Sequence, residues 1–320
     1  MSTGTSPLRV ETDFALQERD IVLREYDYRF AEQPLYPIIR DMDTALYGKG
    51  TLARSVIGEP PIIAQYSLDI AEELHRESHV LSEATLLVYG NMTESRFEST
   101  LASLPGEAGS KPVADDSTSG WVEDSFIIDR DSLSLTNLSA DTYIYRKLTP
   151  FVSCDAPVPC LMLLQIVENV LNSSLPGGLT GPLKFEHFVA RSFSLYIELI
   201  ANKYIEISVT AYPDNDISLD ELENTFKSTL LATLETGLTQ ETFERVLARI
   251  EGGLNSVIDR DRPSYNLDLV LGQLMSGRTI HSLSDQKNAL KNILLEDVNM
   301  LLHSLLNEGR EVTRLINAKG

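Results

Sequence analysis

Around residues 104–120 the sequence runs Leu-Pro-Gly-Glu-Ala-Gly-Ser-Lys-Pro-Val-Ala-Asp-Asp-Ser-Thr-Ser-Gly. Gly, Pro, Ser and Asp dominate and no apolar period survives, so this is an exposed connector rather than part of a packed layer. It sets the organisation to expect: a first part at 1–105, a linker at 106–120 and a second part at 121–320. Limited proteolysis is expected to begin in the linker.

The first part reads as helices with almost no sheet. Apolar spacing predicts a helix at Phe14–Phe30 started by Asp13, a second at Leu35–Tyr47 after Pro34, and a loop at Gly48 and Gly50. Further helices are expected at Leu68–His79 and through Phe97 and Leu101, with one short strand at Thr85–Tyr89. A lone strand is not a sheet, so the apolar faces carrying Phe14, Leu16, Val22, Leu46, Ile70 and Leu74 lack a cover. Association with another chain, as a homo- or hetero-oligomer, is the expected consequence.

The second part is more complete. Strands are expected at Ser125–Ile128 and Thr142–Lys147, then an apolar helix at Cys160–Leu171 and a small-residue loop at Ser173–Gly181. A hairpin follows at Ser192–Leu199 and Tyr204–Tyr212, where Ile205, Ile207, Val209 and Ala211 alternate with polar residues, predicting one buried face. Ser218-Leu-Asp-Glu221 is a capping box, Thr239 starts the next helix, and others are expected at Asn266–Met275 and Glu296–Asn307. The pattern is α+β, an antiparallel-rich sheet packed by helices, and residues 121–320 are expected to be self-sufficient.

With 27 basic against 47 acidic residues the net charge is −20, which repels phosphate backbones and argues against nucleic acid as a partner. No apolar run reaches membrane-spanning length, and the N-terminus lacks a secretory h-region. A soluble, cytoplasmic protein with no membrane partner is expected, its two cysteines, Cys154 and Cys160, reduced. The Asn-x-Ser/Thr triplets at Asn91, Asn137 and Asn172 would matter only on the secretory route.

Hydrolytic zinc needs three protein ligands and an open position for water. His75-Arg-Glu77-Ser-His79 puts its glutamate on the wrong side of a helix for such a site. Leu183-Lys-Phe-Glu186-His187 is an H-x-x-E-H with leucine in place of the first histidine, one ligand short. His281 and His303 stand alone, and no G-x-S-x-G, P-loop or dinucleotide fingerprint is present. Glu18 and Glu25, seven residues apart, share one helix face, by themselves an acidic stripe exposed to solvent.

Glu18-Arg-Asp-Ile-Val-Leu-Arg-Glu25 resembles the E-R-x-V-V-x-x-E helix of the pitrilysin/insulinase (inverzincin) zinc metallopeptidases, which include mitochondrial processing peptidase-like proteins. Arg54-Ser-Val-Ile-Gly58, Ile63, Ser67, His75-Arg76 and Leu87-Val-Tyr-Gly90-Asn91 are similar, in order, to the stretch that follows in that family. Gly237-Leu-Thr-Gln-Glu-Thr-Phe and Leu294-Leu-Glu-Asp-Val298 are similar to helix starts of its C-terminal half-domain.

The resemblance implies two α+β half-domains around a peptide chamber. The first is incomplete, the back half of the catalytic-type half-domain; residues 121–320 are the inactive-type one. It makes Glu25 the third zinc ligand of an incomplete site and Glu18 its support. Arg191 and Tyr196 are the nearest matches to the family's substrate-holding pair, at a shorter spacing. The family's zinc-binding H-x-x-E-H is absent, so the chain alone is expected to hold no zinc and to have no catalytic residues. The leading expectation is a non-catalytic member that binds a peptide substrate or a catalytic peptidase subunit. A truncated fragment of an active zinc endopeptidase and a plain α+β interaction protein are the alternatives.

Overall fold

The structure is a computed structural model and describes residues 11–31, 33–48, 50–78, 87–88, 90–103, 126–151, 157–200, 203–259, 263–275 and 281–319. The chain divides into two compact units, Met1–Tyr36 with Arg54–Ser117, and Pro37–Ala53 with Thr118–Gly320.

The first unit is helical throughout its described residues. Helix α1 (Thr12–Tyr26) continues into a π-helical turn at Asp27–Ala31, and the rings of Tyr26, Phe30 and Tyr36, the first residue of α2 (Tyr36–Tyr47), pack together, Tyr26 edge-on to Tyr36 and the other two pairs tilted. Helices α3 (Pro60–Ile63), α4 (Leu68–Ser78) and α5 (Glu94–Ala102) complete it. Thr85, Leu86 and Tyr89 of the expected strand lie outside the described residues. No described residue of this unit is buried. Phe14, Leu16, Ile21, Ile70 and Leu74 are exposed, as helices without a sheet to pack on must leave them.

The second unit is built on a five-stranded sheet in the order β1-β5-β2-β4-β3. Its strands are β1 (Ile127–Thr136), β2 (Thr142–Pro150), β3 (Ala190–Ile200), β4 (Tyr204–Pro213) and β5 (Arg310–Lys319). β1 and β5 run parallel; the other pairs are antiparallel. Helix α6 (Pro157–Leu171) lies between β2 and β3 in the chain, and α7 (Leu219–Thr236), α8 (Gln240–Asp259), α9 (Pro263–Met275), α10 (Leu283–Leu290) and α11 (Leu295–Ser304) lie between β4 and β5. The core lies on one sheet face, where Tyr143, Tyr145, Leu195, Ile207, Val209 and Leu315 meet Val167, Phe226, Val246 and Leu302 of the helices. The α+β, antiparallel-rich architecture is therefore as the sequence predicts.

The other face departs from expectation. Residues paired across strands share a face, so Ile144, Arg146 and Leu148 of β2 stand with Arg310, Val312 and Arg314 of β5 and with Glu206 of β4. Ile144, Leu148, Val312 and Ile316 are buried there, and so are Ile38, Met42, Leu46 and Tyr47 of α2. The β4 face predicted to meet solvent is thus covered too: Glu206 is 4% exposed. A helix from before the linker thus joins residues 121–320 in one compact unit and supplies its third layer. That helix ends where Gly48 takes a left-handed φ of 65° and donates its N–H to Thr44 O.

Ser218 accepts the Glu221 N–H at the start of α7, half of the predicted box. Cys160 is disulfide-bonded, which corrects the expectation of two reduced thiols; Cys154 lies outside the described residues. The loop after α6 explains the Gly177-Gly178 pair without any phosphate chemistry. Gly177 has φ 86°, and a Cβ on Gly178 would stand 2.2 Å from the Ser173 carbonyl oxygen. Backbone cannot yield as a flexible side chain can, so Gly178→Ala is expected to cost about 1–3 kcal/mol, read as a lowered urea midpoint.

Candidate functional site

The family-type residues of the first unit lie on α1. Glu25 forms an ion pair with Arg29 at 3.0 Å, one helical turn on, with both side chains open to solvent. Glu18, two turns earlier, lines an apolar groove of about 660 Å³ with Phe14, Leu16, Val22, Ile62, Ile63 and Tyr66. The groove lies between α1, α3 and α4, and its apolar walls are the uncovered helix faces of this unit. Among the described residues no three His, Cys, Asp or Glu side chains converge on a point where a metal could sit. A single carboxylate already paired with arginine does not fit a zinc ion, which needs three protein ligands.

Arg191 and Tyr196 lie on β3 but do not come together. Arg191 occupies a break in register between Ala190 and Ser192, and Tyr196 stands five positions further along the strand, roughly 16 Å away. The Tyr196 ring is 58% exposed, on the same sheet face as Glu206. Leu183, which holds the first-histidine position of the degenerate H-x-x-E-H, is fully buried and packs in the main core. Its role there is packing.

The most strongly organised polar group in the second unit is one that sequence reasoning missed. Arg146 donates to Glu206 at 2.7 Å, to Asp43 at 2.6 Å and to the Tyr47 hydroxyl at 3.0 Å. Tyr47 in turn donates to Glu206 and lies under the Arg146 guanidinium. Beside them Arg314, 3% exposed, donates to Asp41 at 2.6 Å and Asp129 at 2.8 Å. Arg310 donates to Ala45 O at 2.7 Å, satisfying a carbonyl of the last turn of α2. Arg40 closes the segment on itself through Asp43 and Ala53 O.

Arg146, Arg314 and Arg40 each meet a carboxylate, and the physical consequence for the Arg146–Tyr47 pair is a fixed protonation pattern. Burial drives the Tyr47 phenol far above its ordinary range, and the Glu206 carboxylate adds to the effect. Burial works against the charge on Arg146, but Glu206, Tyr47 and Asp43 together outweigh it and hold the guanidinium protonated. A phenol that cannot ionise and a guanidinium that cannot deprotonate neither abstract nor release protons near neutral pH. This is a docking layer that fixes α2 to the sheet, with no general acid or base. Its sequence signal was an arginine in an apolar strand, Arg146, whose partner Asp43 lies 103 residues earlier.

On the opposite face a second, smaller network joins Arg130 to Asp220 and Glu223, and Lys227 to Glu223 and Glu311. Tyr145 donates to Glu311 at 3.3 Å, whereas the buried Tyr143 hydroxyl has no partner among the described residues.

No protein-family profile and no curated relative matches the sequence. Solved structures do match. A protease from Helicobacter pylori is similar with a TM-score of 0.74 at 14% identity, over 97% of this chain and 73% of its own. An M16-like peptidase from Alicyclobacillus acidocaldarius gives 0.70 at 15% identity, over 97% and 72% of the two chains. A peptidase M16 inactive domain from Pseudomonas fluorescens gives 0.69 at 12% identity, over 97% and 71%. The chain has the fold of M16 peptidase half-domains.

Proposed function

We propose that this chain is a non-catalytic component of the M16 peptidase type, whose first unit works when covered by another polypeptide of that class. The observation that carries the reading is the state of the first unit. Its described residues bury nothing, and its helices leave open a 660 Å³ apolar groove beside Glu18. Soluble proteins keep such apolar surface for contact with other polypeptides. The M16 fold and the Glu18–Glu25 helix point to one family. The absence of H-x-x-E-H and H-E-x-x-H from all 320 residues leaves no donor set for the family's zinc. The acidic surface, net charge −20, favours a basic peptide or protein as the bound species. A disulfide at Cys160 supports an oxidising compartment in place of the cytoplasm.

Zinc analysis of the purified chain, together with a quenched-peptide assay, tests this. The expected result is far less than one zinc per chain and no cleavage that a chelator suppresses. One tightly bound zinc per chain with chelator-sensitive cleavage would overturn the reading in favour of an active endopeptidase.

A further inference from the structure

Between α6 and β3 the chain makes a π-helical turn, Gly181–Glu186, whose exit is closed by two returning hydrogen bonds. The His187 N–H donates to Pro182 O and the Val189 N–H to Leu183 O, both at 2.9 Å. The residue enclosed by such a closure is left-handed, a position that helices usually give to glycine. Here it is Phe188, at φ 53°. A Cβ in that conformation crowds its own backbone, and a bulky side chain there is an outlier.

Packing does not explain the phenylalanine. Leu183 and Val189 are buried, whereas Phe188 and Phe185, three residues earlier, are each 60% exposed. Among the described residues neither ring stacks on another ring or lies under a cation. One turn of the chain thus combines backbone strain with two solvated aromatic rings. Strain of that kind gathers at functional sites, and exposed rings at sites of contact.

What the rings contact follows from the charges around them. Asp214 is anchored here, its N–H donating to Val189 O at 3.0 Å, and Asp216, itself at φ 63°, follows it. Glu186 lies between the two phenylalanines in sequence, and the first turn of α7, which packs against the π-helical turn, adds Glu221. Among the described residues none of these four carboxylates is ion-paired. Lys184 and Arg191 supply two cations, so carboxylates are in excess, on a chain of net charge −20. The negative face of an aromatic ring and a carboxylate attract the same species, a guanidinium or ammonium group, and both repel an anion.

We propose that Phe185 and Phe188, together with Glu186, Asp214 and Asp216, form a docking surface for an arginine- or lysine-bearing segment of a basic polypeptide. This rests on the basic partner named under the proposed function and not on its zinc reading, so zinc content and cleavage are decided apart from it.

Fluorescence anisotropy on the full chain, with a labelled synthetic peptide of alternating arginine and leucine, tests the surface. The native chain is expected to bind it, more weakly as salt is raised, and not to bind a peptide with glutamate in place of arginine. Phe185→Ser combined with Phe188→Gly leaves the net charge unchanged and is expected to weaken binding about ten-fold. The Phe188→Gly variant is expected to unfold at or above the native urea midpoint, because glycine accepts φ 53° without strain. Should the double variant fail to fold, Phe188→Gly alone decides, and its affinity must fall at least about three-fold. No binding by the native chain overturns the proposal. So does native affinity in the ring variants, since charge alone or another surface then holds the peptide. Equal affinity for the glutamate peptide overturns it too, as does a lowered Phe188→Gly midpoint, which would give the ring a role in the fold.

Discussion

Replacing Arg146 with alanine is expected to cost about 3–5 kcal/mol of stability, because it leaves Glu206 without a cation in a nearly dry layer and takes one of the two arginines from Asp43. The loss lies in broken pairing rather than in lost attraction, so the chemistry of the replacement matters. Glu206→Ala should also destabilise, by taking from the guanidinium one of its two carboxylates. Replacing Arg146 and Glu206 together with apolar residues of similar volume should cost less than either single change, since no lone charge remains. Tyr47→Phe is expected to cost about 1–3 kcal/mol, as it leaves one acceptor of Glu206 and one donor of Arg146 unmatched. Tyr143→Phe should be neutral or stabilising, because the hydroxyl it removes has no partner among the described residues. Urea unfolding of the five variants measures all of this. An Arg146→Ala variant as stable as the native chain would show that the layer is solvated.

Alkaline pH should unfold the protein steeply. Burial, chiefly, drives the phenols of Tyr47, Tyr143 and Tyr145 above their ordinary range, helped by Glu206, Glu223 and Glu311 respectively. An unfolded tyrosine gives up its proton near pH 10, while these three keep theirs in the folded chain. The unfolded state therefore binds fewer protons above that pH, and stability falls as pH rises. Below about pH 10 their contribution is fully present. Above it the slope should be about 1.4 kcal/mol per pH unit for each tyrosine, about 4 kcal/mol per unit for the three together. Urea midpoints between about pH 8 and pH 11 measure the slope, and Tyr47→Phe should remove about a third of it. A flat profile across that range would mean that the three rings are hydrated.

How much of this was legible depended on whether partners lie close in sequence. The α7 start at Ser218, the β3–β4 hairpin and the apolar face of α8 follow from local spacing, and the structure has them. Strand β5 was missed. Its ten residues, Arg-Glu-Val-Thr-Arg-Leu-Ile-Asn-Ala-Lys, carry charges where a central strand normally carries valine or isoleucine. Those charges are tolerated because Arg310 and Arg314 meet Ala45 O and Asp41, more than 260 residues earlier. The same long-range pairing hid Glu206, which alternation alone assigns to solvent. In the first unit, Glu18 and Glu25 were readable as a pattern, but the pattern could not show that Arg29 sits on Glu25. The shorter spacing of Arg191 and Tyr196 was visible in the sequence; the register break that parts them was not.

Everything proposed for the second unit rests on residues 37–53 being one of its structural layers. The direct measurement is the stability of residues 118–320 alone, with and without a synthetic peptide spanning Pro37–Ala53. Without the peptide, Arg146 loses Asp43 and Tyr47, Glu206 loses Tyr47, Arg314 loses Asp41 and Arg310 loses Ala45 O. The fragment is then expected to lose cooperative unfolding or to aggregate, and one equivalent of peptide should restore a single sharp transition. A fragment that unfolds cooperatively at the urea midpoint of the full chain, indifferent to the peptide, would contradict it.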